Sequence, residues 1–193
     1  GLESYLTYDH QSAGLAGRGS VSLVNVNLII AHADTAMNGN RLPVSITHYY
    51  NSCDSNKDEF GMGYGWRTSL HQTLHKVLYN GEVEFVYTDG DGTEHFFKKN
   101  ENDQKKYSDQ SGLSLTLEVG DENITITDKG YNVMTFPLVS ETPTEDAPET
   151  AKVLIQKIQD AIGNEVTVTA VADAPLKIAS VTDGADRVTT LHY

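Results

Sequence analysis

Two histidines four residues apart, in His71-Gln72-Thr73-Leu74-His75, have the spacing at which a zinc-peptidase helix presents two imidazoles on one face. The residue that deprotonates the metal-bound water in such a motif is a glutamate; here it is Gln72, which cannot take a proton. On a strand the two Cα atoms stand roughly 13 Å apart, too far for one ion to hold both rings. Paired surface or sheet histidines are therefore the expectation. Asp89 and Asp91, with Glu94 close by, set carboxylates around two glycines and are weak candidates for calcium ligands, but the bidentate glutamate and longer acidic series of a dedicated loop are missing. A plain hairpin turn is the simpler expectation, and Asp54, Asp58 and Glu59 form a second acidic loop of the same kind.

Other chemistry is weaker still. Cys53 sits in Ser-Cys-Asp-Ser with carboxylates as its closest charges, the wrong surroundings for a thiolate, and as the only cysteine it excludes an internal disulfide. Gly61-Met62-Gly63-Tyr64-Gly65-Trp66 lacks the spacing of a dinucleotide-binding turn, and no Gly-x-Ser-x-Gly elbow occurs. These glycines are expected to let backbone approach backbone around Trp66 as a core anchor. No catalytic residue, no resident metal and no cofactor are expected. Tyr5, Tyr8, Tyr49, Tyr50, Tyr64 and Trp66 hold the one further option, a glycan-binding surface centred on Trp66 and Tyr64, against the commoner use of strand aromatics as packing pairs.

A formal charge of −13 and a pI near 4.8 argue against a nucleic acid or an anionic membrane surface as partner, because both demand basic patches. The longest apolar stretch, Leu28 to Ala31, is far too short to cross a bilayer, and no export signal is visible. If the whole protein is exported, its signal is expected outside this chain. The start at Gly1 and the end at Tyr193 suggest an excised fragment.

The elements that must position these residues read as strands. Val44, Ile46, His48 and Tyr50 alternate with Ser45, Thr47 and Tyr49, and Val83, Phe85 and Tyr87 do the same. Asn80-Gly81 between two apolar runs is the best short hairpin signal, and Asp89-Gly90-Asp91-Gly92 reverses the chain again into Phe96-Phe97. Leu113, Leu115, Leu117 and Val119, then Ile124 and Ile126, continue the antiparallel pattern. Asn100 to Gln110 reads as a polar loop. Two stretches resist: Trp66, Leu70, Leu74, Val77 and Leu78 recur at helical spacing, and Val153, Leu154, Ile158, Ala161 and Ile162 with Gly163 beyond them read, on propensity alone, as a capped amphipathic helix. Ser140 to Thr150, with two prolines, four acids and no large apolar residue, reads as an exposed linker dividing an N-terminal β unit, 1–139, from a repeat region, 151–193.

That last region contains one pattern twice. Ile158-Gln159-Asp160-Ala161-Ile162-Gly163-Asn164-Glu165-Val166 and Val181-Thr182-Asp183-Gly184-Ala185-Asp186-Arg187-Val188 each put an apolar residue before an Asp, then turn-formers, then an alternating run. Segments led by Asp89 and Asp128 are weaker relatives, so four Asp residues stand at irregular intervals of 39, 32 and 23. A side-chain carboxylate that accepts from amides two residues on makes each unit strand, tight turn, strand, and a ribbon that thin must stack on a neighbour.

The Asp-x-x-Gly-Asn/Arg turn and the aromatic closing the second copy at Tyr193 resemble the YD repeat of bacterial Rhs and wall-associated proteins. Gly17-Arg18-Gly19-Ser20-Val21, Asn25-Val26-Asn27-Leu28, Gly39-Asn40-Arg41-Leu42-Pro43-Val44, His48-Tyr49-Tyr50-Asn51-Ser52 and Gly61-Met62-Gly63-Tyr64-Gly65-Trp66-Arg67 resemble, in order, the segment that precedes those repeats. Two positions depart from the pattern: Val26 puts the Asn-x-Asn turn in doubt, and Asp186 stands in place of a glycine, a milder change because Asp tolerates positive φ better. The resemblance implies an all-β fold of antiparallel hairpins, a meander forming a sandwich-like or open shell-type sheet, with little or no helix and with both helix-like stretches as strands. It implies that Asp160, Gly163, Asn164, Asp183, Asp186 and Arg187 are repeat-turn residues. It also implies a non-enzymatic structural role in a large secreted or cell-wall protein, whose shell carries a C-terminal toxin and whose partners are its own downstream repeats. A cell-surface adhesin or carbohydrate-binding module, with glycans or cell wall as partner, is the alternative expectation.

Overall fold

The computed structural model describes the backbone of residues 8–12, 18–22, 28–37 and 44–193, with side chains from residue 46 onward. Strand accounts for 51% of the structure and helix for 2%, so the helix-like spacing of 66–78 and 151–162 yields to extended backbone. Among the described residues two antiparallel sheets form. The smaller runs in sequence order through β1 (Tyr8–Ser12), β2 (Arg18–Ser22), β3 (Leu28–Met37), β4 (Val44–Asn51) and β5 (Trp66–Thr68). The larger holds β6 (Thr73–Tyr79), β7 (Glu82–Thr88), β8 (Glu94–Asn100), β9 (Asp103–Asp109), β10 (Thr116–Val119), β11 (Asn123–Thr127), β12 (Val133–Pro137), β13 (Val153–Leu154), β14 (Lys157–Gln159), β15 (Glu165–Val171), β16 (Ala174–Thr182) and β17 (Val188–Thr190). Its order, β13-β6-β7-β8-β9-β10-β11-β12-β14-β15-β16-β17, is an open meander with β13 at one edge and β17 at the other.

The hairpins follow from local chemistry. Asn80 and Gly81 take φ +50° and +80°, the pair of left-handed residues that matches a two-residue turn to strand twist, and Tyr79 faces Glu82 across it. Alternation then sends Phe85, Phe97, Leu117, Ile124, Ile126 and Phe136 to one face, where each is at most 2% exposed. The same core continues through Leu154, Ile155, Val166, Val168, Ile178 and Val181, so the repeat region and the strands before it share one apolar interior. Phe85 and Tyr107 meet edge-on at 4.9 Å, and Tyr87 and Phe136 at 5.8 Å.

Residues 153–159 shape the larger sheet. Val153 and Leu154 pair with Leu74 and Thr73 of β6, and the Ile155 amide donates to the Gln72 carbonyl at 2.9 Å. One residue on, the Gln156 amide donates to Thr135 at 2.8 Å, and Lys157–Gln159 pair with β12. One stretch of chain thus holds β6 on one side and β12 on the other, which curls these two and the five strands between them about the core. Residues on both sides demand main-chain bonds from this stretch, which is why its helical spacing of apolar residues does not make a helix. In β6 the reason is different: Leu74 faces the core while Thr73 and His75 are buried on the other face, so apolar spacing there carries no helical period.

Asn100 to Gln110, expected as a polar loop, is largely β9. Its ladder to β8 and β10 and the seating of Tyr107 on Phe85 outweigh its charged composition. Ser140 to Thr150 is mostly exposed, yet it runs back along β6: the Leu78 amide donates to Pro148, and the Thr150 amide to Lys76. The expected Asn25-Val26-Asn27 turn, Gly39 to Pro43, Gly14, Gly17 and Tyr5 lie outside the described residues, as does the ring of Tyr8.

Candidate functional site: the rim of aspartate-led turns

Antiparallel order puts every second connection of a meander at the same end of the sheet. The turns between β7 and β8, β9 and β10, β11 and β12, β14 and β15, and β16 and β17 therefore line one rim, headed by Asp89, Asp109, Asp128, Asp160 and Asp183. Four of the five share one hydrogen-bond scheme. In the Asp160 turn the Asp amide donates to the Asn164 carbonyl (2.9 Å) and the Gly163 amide to the Asp carbonyl (3.1 Å), while Asp160 Oδ1 accepts from the amides of Ile162 (3.0 Å) and Asn164 (2.8 Å). The turns led by Asp89, Asp128 and Asp183 repeat each of these four bonds between 2.8 and 3.2 Å. The fourth residue always has positive φ: Gly92 at +92°, Tyr131 at +60°, Gly163 at +89° and Asp186 at +57°. Asp186 thus does the geometric work of a glycine.

The second carboxylate oxygen is what differs. Asn132 Nδ2 donates to Asp128 Oδ2 at 2.9 Å and Asn164 Nδ2 to Asp160 Oδ2 at 2.7 Å. In the last turn the Arg187 guanidinium grips Asp183 Oδ2 through Nε (2.8 Å) and Nη2 (2.7 Å). These side-chain donors, with the turn amides behind them, hold the Asp160 and Asp183 carboxyls below the usual carboxylate range. The predicted repeat-turn residues Asp160, Gly163, Asn164, Asp183, Asp186 and Arg187 all sit in these two turns.

The Asp89 turn is built differently, because Thr93 turns its hydroxyl to Asp91 Oδ1 (2.7 Å) and leaves Asp89 Oδ2 to His95 Nε2 (2.9 Å). His95 is buried, stacks on Tyr87 at 5.4 Å, and points Nδ1 toward Ser111 Oγ at 3.5 Å. Tyr87 in turn donates to Gln72 Oε1 at 2.8 Å. Burial alone pushes the Asp89 carboxyl up, but His95 and Asp91 more than offset it and hold it low; burial and the Asp89 charge push Asp91 up. Asp89, His95 and Ser111 are the three residue types of a nucleophilic relay. The Ser111 hydroxyl, however, donates to Asp109 Oδ1 at 2.6 Å, so its proton is directed away from the imidazole and the oxygen is not activated.

This same turn locks the two sheets together. Arg67 of β5 donates through Nη2 to the carbonyls of His71 and Asp89, the latter at 3.1 Å, with its guanidinium over the Phe60 ring at 5.0 Å. A Cβ at Gly90 would stand 2.4 Å from the Ser69 carbonyl oxygen, so only glycine lets the turn lie against the connection from β5 to β6. His71 is fully buried beneath it: Nδ1 accepts from the Thr68 amide at 2.9 Å, which leaves the ring proton on Nε2, and burial beside Arg67 pulls the group down to about 3. His71 lies in the turn before β6 and His75 within it, both buried. Among the described residues no three His, Cys, Asp or Glu side chains gather to hold a metal, and the oxygens of Asp89 are committed to the turn and His95.

At this rim lies a cleft of about 400 Å³ lined by the apolar side chains of Leu113, Leu115, Met134 and Ile158 together with Gln72, Tyr87, Asp89, His95, Asp128 and Asn132. The two aromatic candidates lie elsewhere: Trp66 is half-buried against Tyr50 at 5.2 Å, and Tyr64 is 65% exposed. Gly65 beside them has φ +76°, and a Cβ there would meet the Asn51 carbonyl oxygen at 2.8 Å. Sequence reasoning missed Asp109, His95 and Arg67. The Asp-x-x-Gly spacing of Asp109 and Gly112, shared with Asp89 and Asp160, was the available signal for the first; nothing local marks the other two.

Residues 18–97 match a family described as a domain of unknown function, DUF6531, over less than half of the chain. The match runs from β2 into β8 and takes in Arg67, His71, Gly90 and His95, but none of the turns after β8. No curated protein matches the chain.

Proposed function

We propose that this chain is a structural piece of a large secreted or surface-displayed protein of the Rhs/YD-repeat type, a lead-in sheet followed by the first repeats of a β-shell that carries a C-terminal toxin. The observation that carries the reading is the common bond scheme of the turns at Asp89, Asp128, Asp160 and Asp183. Sequence intervals between these turns vary, yet each fixes the register of one hairpin against the last, which is what an extensible strip requires. The edge strand β17 pairs only with β16 among the described residues and offers its other side to a following hairpin. The proposed role needs no catalysis.

Appending a further hairpin copied from residues 157–171 after Tyr193 tests the idea. The expected result is one cooperative transition with a midpoint several degrees higher and with slowed amide exchange in β17. An appended hairpin that stays unprotected and leaves the midpoint unchanged would sink the proposal. The adhesive alternative has the exposed Tyr64 in its favour, whereas Trp66 is committed to Tyr50. It requires saturable binding on a glycan array that Trp66→Ala abolishes in a folded protein.

A further inference from the structure

The rim that fixes hairpin register also has a surface, and that surface is neither neutral nor uniformly polar. Within the five turns, 89–93, 109–113, 128–132, 160–164 and 183–187, seven carboxylates stand against two cations, Lys129 and Arg187. The hydrogen bonds that the carboxylates accept come largely from neutral amides, which orient them without cancelling their charge. Among these carboxylates three large apolar side chains reach outward from successive turns: Leu113 at 52% exposure, Tyr131 at 74% and Ile162 at 85%. Turn geometry does not call for them, since Gly92 serves at the position Tyr131 takes and Asp91 and Ala185 at the position of Ile162. Exposed apolar side chains in a row, ringed by charge of one sign, are what a protein-docking surface looks like.

The cleft supplies the third feature. Leu113, Leu115, Met134 and Ile158 give it an apolar lining, and Asp89 and Asp128 add two carboxylates to it. A side chain with a methylene stem and a cationic end satisfies both parts, the stem against the apolar lining and the head beside the carboxylates. We propose that the rim of aspartate-led turns docks a basic polypeptide segment in which Lys or Arg alternates with apolar residues, one cationic side chain entering the cleft between Leu113 and Met134. Charge complementarity selects this occupant over nucleic acid or an anionic lipid surface.

The test uses the whole chain with a labelled short peptide of alternating Lys and Leu, a Lys/Ser peptide of equal charge and a Glu/Leu peptide. The expected result is saturable binding of the Lys/Leu peptide that weakens with salt, at least about tenfold weaker binding of the Lys/Ser peptide, and none of the Glu/Leu peptide. Amide shifts on titration should concentrate at Gly112, Tyr131 and Ile162. The double substitution Leu113→Ser, Ile162→Ser, at two exposed positions, should weaken the Lys/Leu peptide by about tenfold while leaving the thermal midpoint in place. Equal binding of the Lys/Leu and Lys/Ser peptides, unchanged affinity in the double variant, or shifts spread over the acidic surface would each overturn the proposal. A double variant that fails to fold transfers the decision to Tyr131→Asn, which keeps a residue tolerant of positive φ and should lose affinity in the same direction.

Discussion

Tyr131 and Asp186 occupy, at φ +60° and +57°, the turn position that glycine fills after Asp89 and Asp160. An L side chain in that region costs roughly 1–2 kcal/mol, less for Asp, while glycine gives back about 0.5–1 kcal/mol in unfolded-chain entropy. Tyr131→Gly is therefore expected to stabilise the protein by up to about 1 kcal/mol, and Asp186→Gly to be nearly neutral, in chemical denaturation. Acid acts on the same scale through two separable groups. His71 is pulled down to about 3 from an unfolded value near 6.5, so its unfolded form takes up protons first and stability falls between those limits, approaching about 1.4 kcal/mol per pH unit at the steepest. His75, lowered mainly by burial, works in the same direction. Asp160 and Asp183 are depressed instead, so their contribution is complete above about pH 3.9 and lost as pH falls further. Denaturation midpoints against pH should show His71→Asn flattening the limb between about pH 6.5 and 4, and Asp160→Asn flattening it only below that. The turn aspartates were legible because a carboxylate before a turn has one strong local use. The burial of His71 and the pairing of Asp89 with His95 were not, since both depend on packing against distant strands.

Among the elements, the hairpins were the readable part, and their signals were short: Asn80-Gly81, the Asp-led turns and a two-residue alternation. The segment 153–159 was not, because it touches β6 some eighty positions earlier, and neither a two-residue strand nor a stretch bonded on both sides leaves a period in the sequence. Its apolar residues even fall at helical spacing. Ile155 is the keystone of this stretch, 1% exposed, with its amide on Gln72 just before β6 while its neighbour's amide is on β12. Ile155→Ala is expected to cost about 2–5 kcal/mol and to speed amide exchange in β6 and β12 together. Faster exchange in only one of the two strands would show that the segment does not join them.

For the molecule as a whole, alternating strands pointed to an all-β class and the family resemblance extended it over the two helix-like stretches, while the division into two sheets and the curl of the larger one had to be seen. Arg67 and Gly90 make the contact between the sheets, far from any motif that a linear reading would single out. The bridging stretch has a consequence in time. A chain made in order from N- to C-terminus presents β6 well before the partner that covers its open side, which arrives only with Val153 and Leu154, and β12 waits a shorter time for Lys157. Until then two bare edges protrude from a half-rolled sheet, ready to stick to whatever strand is near. A chain emerging from the ribosome therefore passes through a window of about 75 residues, from Tyr79 to Val153, in which it has not yet sealed itself, and a ribosome stalled inside that window would release a sticky intermediate rather than a smaller version of the fold.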